Sequence, residues 1–64
     1  MSEILKAELK KVSAKAIQAK MDLHDLSEEL PINWTSIMAV AQKAYDVYVE
    51  LERKRRELKE LENT

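Results

Sequence analysis

The fold of this chain is decided at residues 23–34, which read LHDLSEELPINW. Pro31 is the only proline among 64 residues. Because proline lacks a backbone N–H and pushes the preceding residue out of the α region, a helix that arrives from the N-terminal side ends at Leu30. Asn33 follows, and asparagine is favoured as the N-cap of a new helix. The stretch therefore predicts a turn over residues 30–33, and a turn this short makes the two helices antiparallel.

The residues before this turn follow a heptad pattern, with apolar positions spaced alternately by four and three. They are Leu5, Leu9, Val12, Ala16, Ala19, Leu23, Leu26 and Leu30. An unbroken pattern of this kind is typical of a helix that packs along one stripe against a neighbouring helix. We therefore predict a first helix over about residues 3–29.

The residues after the turn repeat the same spacing and predict a second helix over about residues 34–62. Its seam is Ile37, Ala41, Ala44, Tyr48, Leu51, Arg55 and Leu58. Met38, Val40, Tyr45 and Val47 flank this seam on both sides. Burial of both flanks requires more than one neighbouring helix, and a core from 64 residues is marginal alone. The predicted fold is all-α: a single antiparallel helical hairpin over residues 1–64 that dimerises into a four-helix bundle, with a higher oligomer left open.

Composition excludes several classes of function. The chain has no cysteine and no glycine, which argues against disulfides, thiolate chemistry and glycine-rich phosphate loops. No apolar run approaches the roughly 20 residues of a membrane span, and the N-terminus lacks the pattern of a signal peptide. We therefore expect a cytoplasmic protein. No group of side chains has the arrangement of a catalytic site, so we expect no enzyme activity and no cofactor.

Charge is distributed unevenly along the hairpin. Residues 22–46 carry five acids against one lysine, a net charge of −4, while the rest of the chain carries +3. The turn end is therefore acidic and the open end basic. A dimer that places each turn end beside the partner's open end is favoured by this asymmetry.

His24, Asp25 and Glu28 form the first candidate site. All three positions face away from the heptad seam, and His24 and Glu28 are four residues apart, so both can reach one cation. Two or three ligands from one helix make a poor metal site unless another chain supplies more. A solvated His–Glu pair is the commoner interpretation, and a divalent-metal-binding or metal-delivery protein is the alternative.

A second candidate is an apolar stripe on the outer side of the first helix, formed by Ala14, Ile17 and Met21 and ending at His24. Its regular spacing predicts a contact surface for a partner protein. We expect Trp34 to cap the turn end of the bundle, over Leu30 or Ile37, with a role as a partner anchor as the alternative. The predicted partner-binding residues are Ile17, Met21, His24, Asp25, Glu28 and Trp34.

A third candidate is the basic run from Arg53 to Arg56, which nucleic-acid phosphates attract. Acids one helical turn away neutralise such a run, and no aromatic platform lies near it. A module that binds RNA through Arg53, Arg55 and Arg56 therefore stays the least favoured binding hypothesis.

Residues 21–34, and above all Asp22 to Leu26, Glu28 to Pro31 and Trp34, resemble a family of small two-helix proteins encoded in nitrogen-fixation gene clusters. These proteins are described as Rop-like, or as nitrogenase-associated proteins of unknown function. The resemblance implies a helical-hairpin dimer and an accessory role in nitrogen fixation, such as nitrogenase maturation, with nitrogen-fixation proteins as partners. It implies no established activity.

Overall fold

A computed structural model describes residues 2–63, and Met1 and Thr64, the ends of the predicted 1–64 domain, lie outside the described residues. Helix α1 runs over Ser2–Glu29 and helix α2 over Ile37–Glu62, with a single 3-10 turn at Trp34–Ser36 between them. The described part of the chain contains no strand. The helices pack along their length into a rod of 49 × 14 × 12 Å. The predicted all-α helical hairpin is confirmed.

The core lies in the seam between the two helices. Helix α1 contributes most of it, through the predicted heptad positions Leu5, Val12, Ala16, Ala19 and Leu26. Helix α2 contributes Ala44 and Leu51, and Leu51 forms the central cluster with Val12 and Ala16. The two alanines on the seam of α1, Ala16 and Ala19, are each only 3% exposed, as expected where a neighbouring helix approaches closely.

Helix α2 turns a different stripe toward α1 than its heptad pattern predicts. Ile37 and Tyr48 are 39% and 43% exposed, and Arg55 is also exposed. Instead, the half-buried residues Val40, Val47 and Lys54 of α2 lie beside the buried Ala44 and Leu51. The prediction that Ile37 and Arg55 line the contact with α1 is therefore wrong, whereas Tyr48 lies at the edge of the seam and contacts α1 through its hydroxyl. Helix α2 carries apolar residues on two adjacent stripes, and periodicity alone does not say which stripe faces the chain's own first helix.

The turn also departs from the prediction. Asn33 has the left-handed backbone conformation, with φ 62° and ψ 22°. Its side chain makes no cap hydrogen bond, and its amide instead donates to Glu29 Oε2 at 3.1 Å. The prediction that the Asn33 side chain caps the second helix is wrong. Helix α2 begins at Ile37 because residues 34–36 first form the 3-10 turn, which the Ser36 N–H closes by donating to the Asn33 carbonyl at 3.0 Å.

The core of the single chain is incomplete. Among the described residues, seven hydrophobic side chains are buried and thirteen large ones are exposed, and no large side chain is fully buried. Neither helix carries an apolar stretch long enough to span a bilayer within residues 2–63.

Candidate interaction surfaces

Two contacts between the helices fix which residues lie side by side. The Tyr48 hydroxyl donates to the Ala16 carbonyl oxygen at 3.3 Å, and the Lys54 ammonium donates to Glu8 Oε2 at 2.8 Å. The residue numbers of these pairs sum to 64 and 62. Along an antiparallel hairpin this sum stays nearly constant, so Leu9 lies level with Arg55.

The Tyr48 contact also defines one side of the hairpin, which we call the apolar face. It consists of Leu9, Ala16 and Leu23 on α1, Leu30 directly after α1, and Ala41, Tyr45 and Tyr48 on α2. Leu23, Leu30 and Tyr45 are 36%, 41% and 68% exposed. Because these residues recur at helical spacing on both helices and on one side of the hairpin, they form a continuous strip that the single chain leaves uncovered.

The opposite side of the hairpin is polar. The Lys54–Glu8 ion pair lies there, and its lysine side chain keeps only 17% of its surface exposed. The hydrogen bond from Lys54, reinforced by its positive charge, lowers the pKa of Glu8, and the hydrogen bond to Glu8 raises the pKa of Lys54. A shallow groove on this side is lined by Lys15, Gln18, Ala19, Asp22, Lys43, Val47 and Glu50. Because of these charged and polar side chains, this side of the hairpin is suited to remain exposed to solvent.

His24 lies on the outer side of α1 between two carboxylates. Its Nε2 is 3.2 Å from Glu28 Oε1, and its Nδ1 is 3.7 Å from Asp25 Oδ1. The side chains of all three residues are more than half exposed. Because the two carboxylates approach different ring nitrogens, they do not converge on one point in space.

The arrangement around His24 bears on the predicted metal site of His24, Asp25 and Glu28. Within residues 2–63, no group of three or more His, Cys, Asp or Glu side chains is placed to hold a metal ion. His24 Nε2 and Glu28 form the pair with the closer geometry. A divalent cation at this pair needs further ligands from a second chain, so the metal site stays a prediction.

The outer stripe of α1 is exposed as predicted, with Ile17 at 64% and Met21 at 46%. Asp25 and Glu28 continue the same surface toward the turn end. Trp34 is 65% exposed in the single chain, and its packing at the turn end of the bundle stays a prediction. Its role as a partner anchor stays a prediction.

The basic run is partly neutralised by acids. Arg56 Nη2 lies 2.7 Å from Glu52 Oε1 one helical turn away, and Lys54 is bound to Glu8 across the hairpin. Arg53 and Arg55 lie on different sides of α2, because residues two apart point in nearly opposite directions on a helix. The run therefore does not present its four charges to one nucleic-acid strand.

Two polar contacts that join the helices within residues 2–63, Tyr48 with Ala16 and Lys54 with Glu8, were not predicted from the sequence. The Tyr48–Ala16 hydrogen bond uses a backbone carbonyl, whose availability no sequence pattern reveals. The Lys54–Glu8 pair leaves a weak signal, since both residues are charged positions next to the heptad seam. A search for opposite charges on the two predicted helices, at equal distances from the turn, could find this pair.

The chain matches the family model described as Rop-like over residues 2–63. The chain belongs to the Rop-like family. A UPF0437 protein of Azorhizobium caulinodans is 62% identical to it over 60 residues, which cover 94% of this chain and 87% of the relative. The family resemblance predicted from residues 21–34 is thereby confirmed.

Two further comparisons extend the picture of this Rop-like family. A UPF0437 protein of Frankia alni, described as lying in the nifX-nifW intergenic region, is 49% identical over 43 residues, or 67% of this chain and 52% of that protein. An NMR structure from the Northeast Structural Genomics Consortium superposes with a TM-score of 0.92 at 48% identity. It covers 100% of this chain and 90% of the solved one.

Proposed function

We propose that this Rop-like chain is a non-enzymatic interaction protein that pairs with a second copy through its apolar face, forms a four-helix bundle, and acts as an accessory protein in nitrogen fixation. The observation that carries the dimer is the strip of Leu23, Leu30, Tyr45 and Tyr48, which remains exposed after the two helices have packed. A second hairpin with the same strip covers it, because a two-fold interface is formed by the same patch on both subunits.

The size of the apolar face supports this pairing. One side of a rod 49 Å long and 14 Å wide offers roughly 700 Å². A standard interface buries about 800 Å² of each partner. The two values are close enough for the whole side of one hairpin to be buried against the other. The core that is incomplete in one chain then becomes continuous across four helices.

Charge supports one orientation of the pair. The net charge of −4 over residues 22–46 and of +3 over the remainder favours a turn end beside the partner's open end. Two turn ends side by side would instead bring two charges of −4 together. The proposed dimer is therefore antiparallel.

The association with nitrogen fixation rests on the Frankia alni relative, whose description places it between nifX and nifW. In the proposed dimer the outer stripe of α1 stays accessible, because it lies on the side of that helix opposite the seam with α2. We propose that Ile17, Met21, His24, Asp25 and Glu28 form the surface that a nitrogen-fixation partner contacts, with nitrogenase maturation as the specific role.

The dimer is tested by native mass spectrometry and sedimentation of the wild type, Leu23→Asp and Ile17→Asp. We expect the wild type to be a dimer. Leu23→Asp places an unpaired charge in the interface and should yield monomer, whereas Ile17→Asp introduces the same charge on the outer stripe and should leave the dimer intact. A monomeric wild type, or equal loss of dimer in both variants, contradicts the proposal.

The functional role is tested by deleting the gene in its host and comparing growth on N₂ with growth on ammonium. We expect slower growth on N₂ alone, restored by the wild-type gene. Met21→Asp should keep the dimer but fail to restore growth, because it places a charge in the outer stripe. Equal growth of the deletion strain on both nitrogen sources contradicts an accessory role in nitrogen fixation.

A divalent-metal-binding function is the second candidate, favoured by the distance of 3.2 Å between His24 Nε2 and Glu28 Oε1. Residues four apart on one helix face commonly supply two ligands of a metal site. A second chain that contributes a further pair would complete four ligands.

A further inference from the structure

Arg55 continues the stripe of α2 that includes Ala41 and Tyr48, since the three positions are seven residues apart, and Glu62 follows it at the end of the helix. This stripe runs along the apolar face, because Tyr48 reaches Ala16 on that side. Arg55 is exposed, and within residues 2–63 its guanidinium forms no ion pair or side-chain hydrogen bond. Arg55 therefore places a charged group, without an ion-pair partner among the described residues, beside the exposed residues Tyr45 and Tyr48.

The alignment of the two helices determines which residues of an antiparallel second copy lie opposite Arg55. Ala16 lies at the middle of α1, which runs over Ser2–Glu29, and Tyr48 lies level with it. A two-fold axis at this level, perpendicular to the helices, relates the two copies. It places each residue opposite the residue of the second copy that lies equally far from the axis in the other direction along the helices. Arg55 and Leu9 lie seven residues toward the open end, so they face the level of Ala41 and Leu23 in the second copy.

The side chains at these two levels are complementary in size. Ala41 is the smallest residue on its stripe, and it leaves space where the long aliphatic stem of an arginine can lie. Tyr45 is one helical turn from Ala41 on the same face, and 68% of its surface is exposed. A guanidinium that extends past Ala41 therefore reaches an uncovered aromatic ring, and arginine on a tyrosine ring is a favourable cation–π contact.

We infer that Arg55 of each hairpin packs over Ala41 of the second copy and places its guanidinium on the ring of Tyr45 there. This inference rests on the proposed dimer and identifies the contact that selects its antiparallel orientation. In the parallel orientation α2 would face α1 of the second copy, so Arg55 would lie opposite the level of Leu9 and out of reach of Tyr45. The contact occurs twice in the symmetric dimer.

The first test measures the dissociation constant of the dimer by sedimentation for the wild type, Arg55→Ala, Tyr45→Leu and the double variant. Each single substitution removes two copies of the contact and should raise the dissociation constant about tenfold. The double variant should be little weaker than either single one, because both lose the same contact. Tyr45→Phe keeps the ring and should bind like the wild type.

Arg53→Ala is the matched control, since it removes the same side chain from the other side of α2 and should leave the dissociation constant unchanged. Equal effects of Arg53→Ala and Arg55→Ala, or additive effects in the double variant, overturn the inference while the dimer itself stands. A wild type that is monomeric overturns the proposed function and the inference together.

The second test measures orientation directly. The chain has no cysteine, so Ser27→Cys gives a single position for a spin label. Ser27 is eleven residues from the level of Ala16, and in the antiparallel dimer two labels are about 33 Å apart along the axis at 1.5 Å per residue. In the parallel dimer they lie at the same level, on the order of 10–20 Å apart across the bundle. The shorter distance overturns the inference.

Discussion

Val12 offers a direct measurement of how much the seam between the helices stabilises the hairpin. It is 4% exposed and belongs to the central cluster with Ala16 and Leu51. Val12→Ala removes two buried methyl groups at about 0.8 kcal/mol each and leaves a small cavity, so the free energy of unfolding should fall by about 2 kcal/mol. A chain of this length has a total stability of about 3–10 kcal/mol, so the loss is a substantial fraction.

Val49→Ala is the matched control, because Val49 is in the middle of α2 and is 50% exposed. Both substitutions give the same small gain in helix propensity, so the difference between them isolates burial. We expect Val49→Ala to change stability by less than about 0.5 kcal/mol. The assay is urea unfolding followed by circular dichroism at one fixed protein concentration, since dimerisation also stabilises the folded state. Equal losses in the two variants would refute the assignment of Val12 to the core.

Three further predictions concern the ion pair, the turn and the histidine. The pKa of Glu8 is lowered below 4.5 in the folded chain, so its contribution is present above that pH and disappears as pH falls through the lowered value. Glu8→Gln should therefore lower the melting temperature at about pH 7, and the gap to the wild type should narrow as the pH falls below 4.5; a constant gap would show that charge is not the cause. Asn33→Ala should lower the free energy of unfolding by about 1 kcal/mol because alanine disfavours the left-handed conformation, and Asn33→Gly by less. Equal losses in urea unfolding would instead assign the effect to the lost Glu29 hydrogen bond. In native mass spectrometry with added Zn²⁺ or Ni²⁺, the metal-binding candidate predicts uptake in a fixed ratio that His24→Ala loses and Asp46→Ala keeps, and uptake unchanged by His24→Ala would eliminate it.

The fold was predictable from two local signals. Pro31 and the heptad positions on either side of it determine two helices and a short turn, and all five buried residues of α1 lie on the predicted seam. The partner stripe of α2 was not predictable, because Val40 and Val47 on one flank are as apolar as Ile37 and Tyr48 on the other. Which of these stripes faces α1 depends on three-dimensional packing and on contacts such as Lys54 with Glu8.

The candidate surfaces were predictable to a different degree. The exposure of Ile17 and Met21 follows from their position opposite the seam, so the helical period alone gives it. Trp34 lies in the 3-10 turn at the turn end of the hairpin, where its expected packing depends on the second copy. The two nitrogens of His24 face separate carboxylates, a detail that depends on side-chain rotamers and has no signature in residue spacing.

The two cross-helix contacts differ in the length of chain that each closes. The Tyr48–Ala16 hydrogen bond joins residues 32 apart, and the Lys54–Glu8 hydrogen bond joins residues 46 apart. Closing a longer loop costs more entropy, so the hairpin forms from the turn outward and its open end closes last. The same order governs fluctuations of the folded chain. Amide hydrogens near both termini exchange with solvent first, while those around Ala16 and Tyr48 exchange only when most of the helix pair separates.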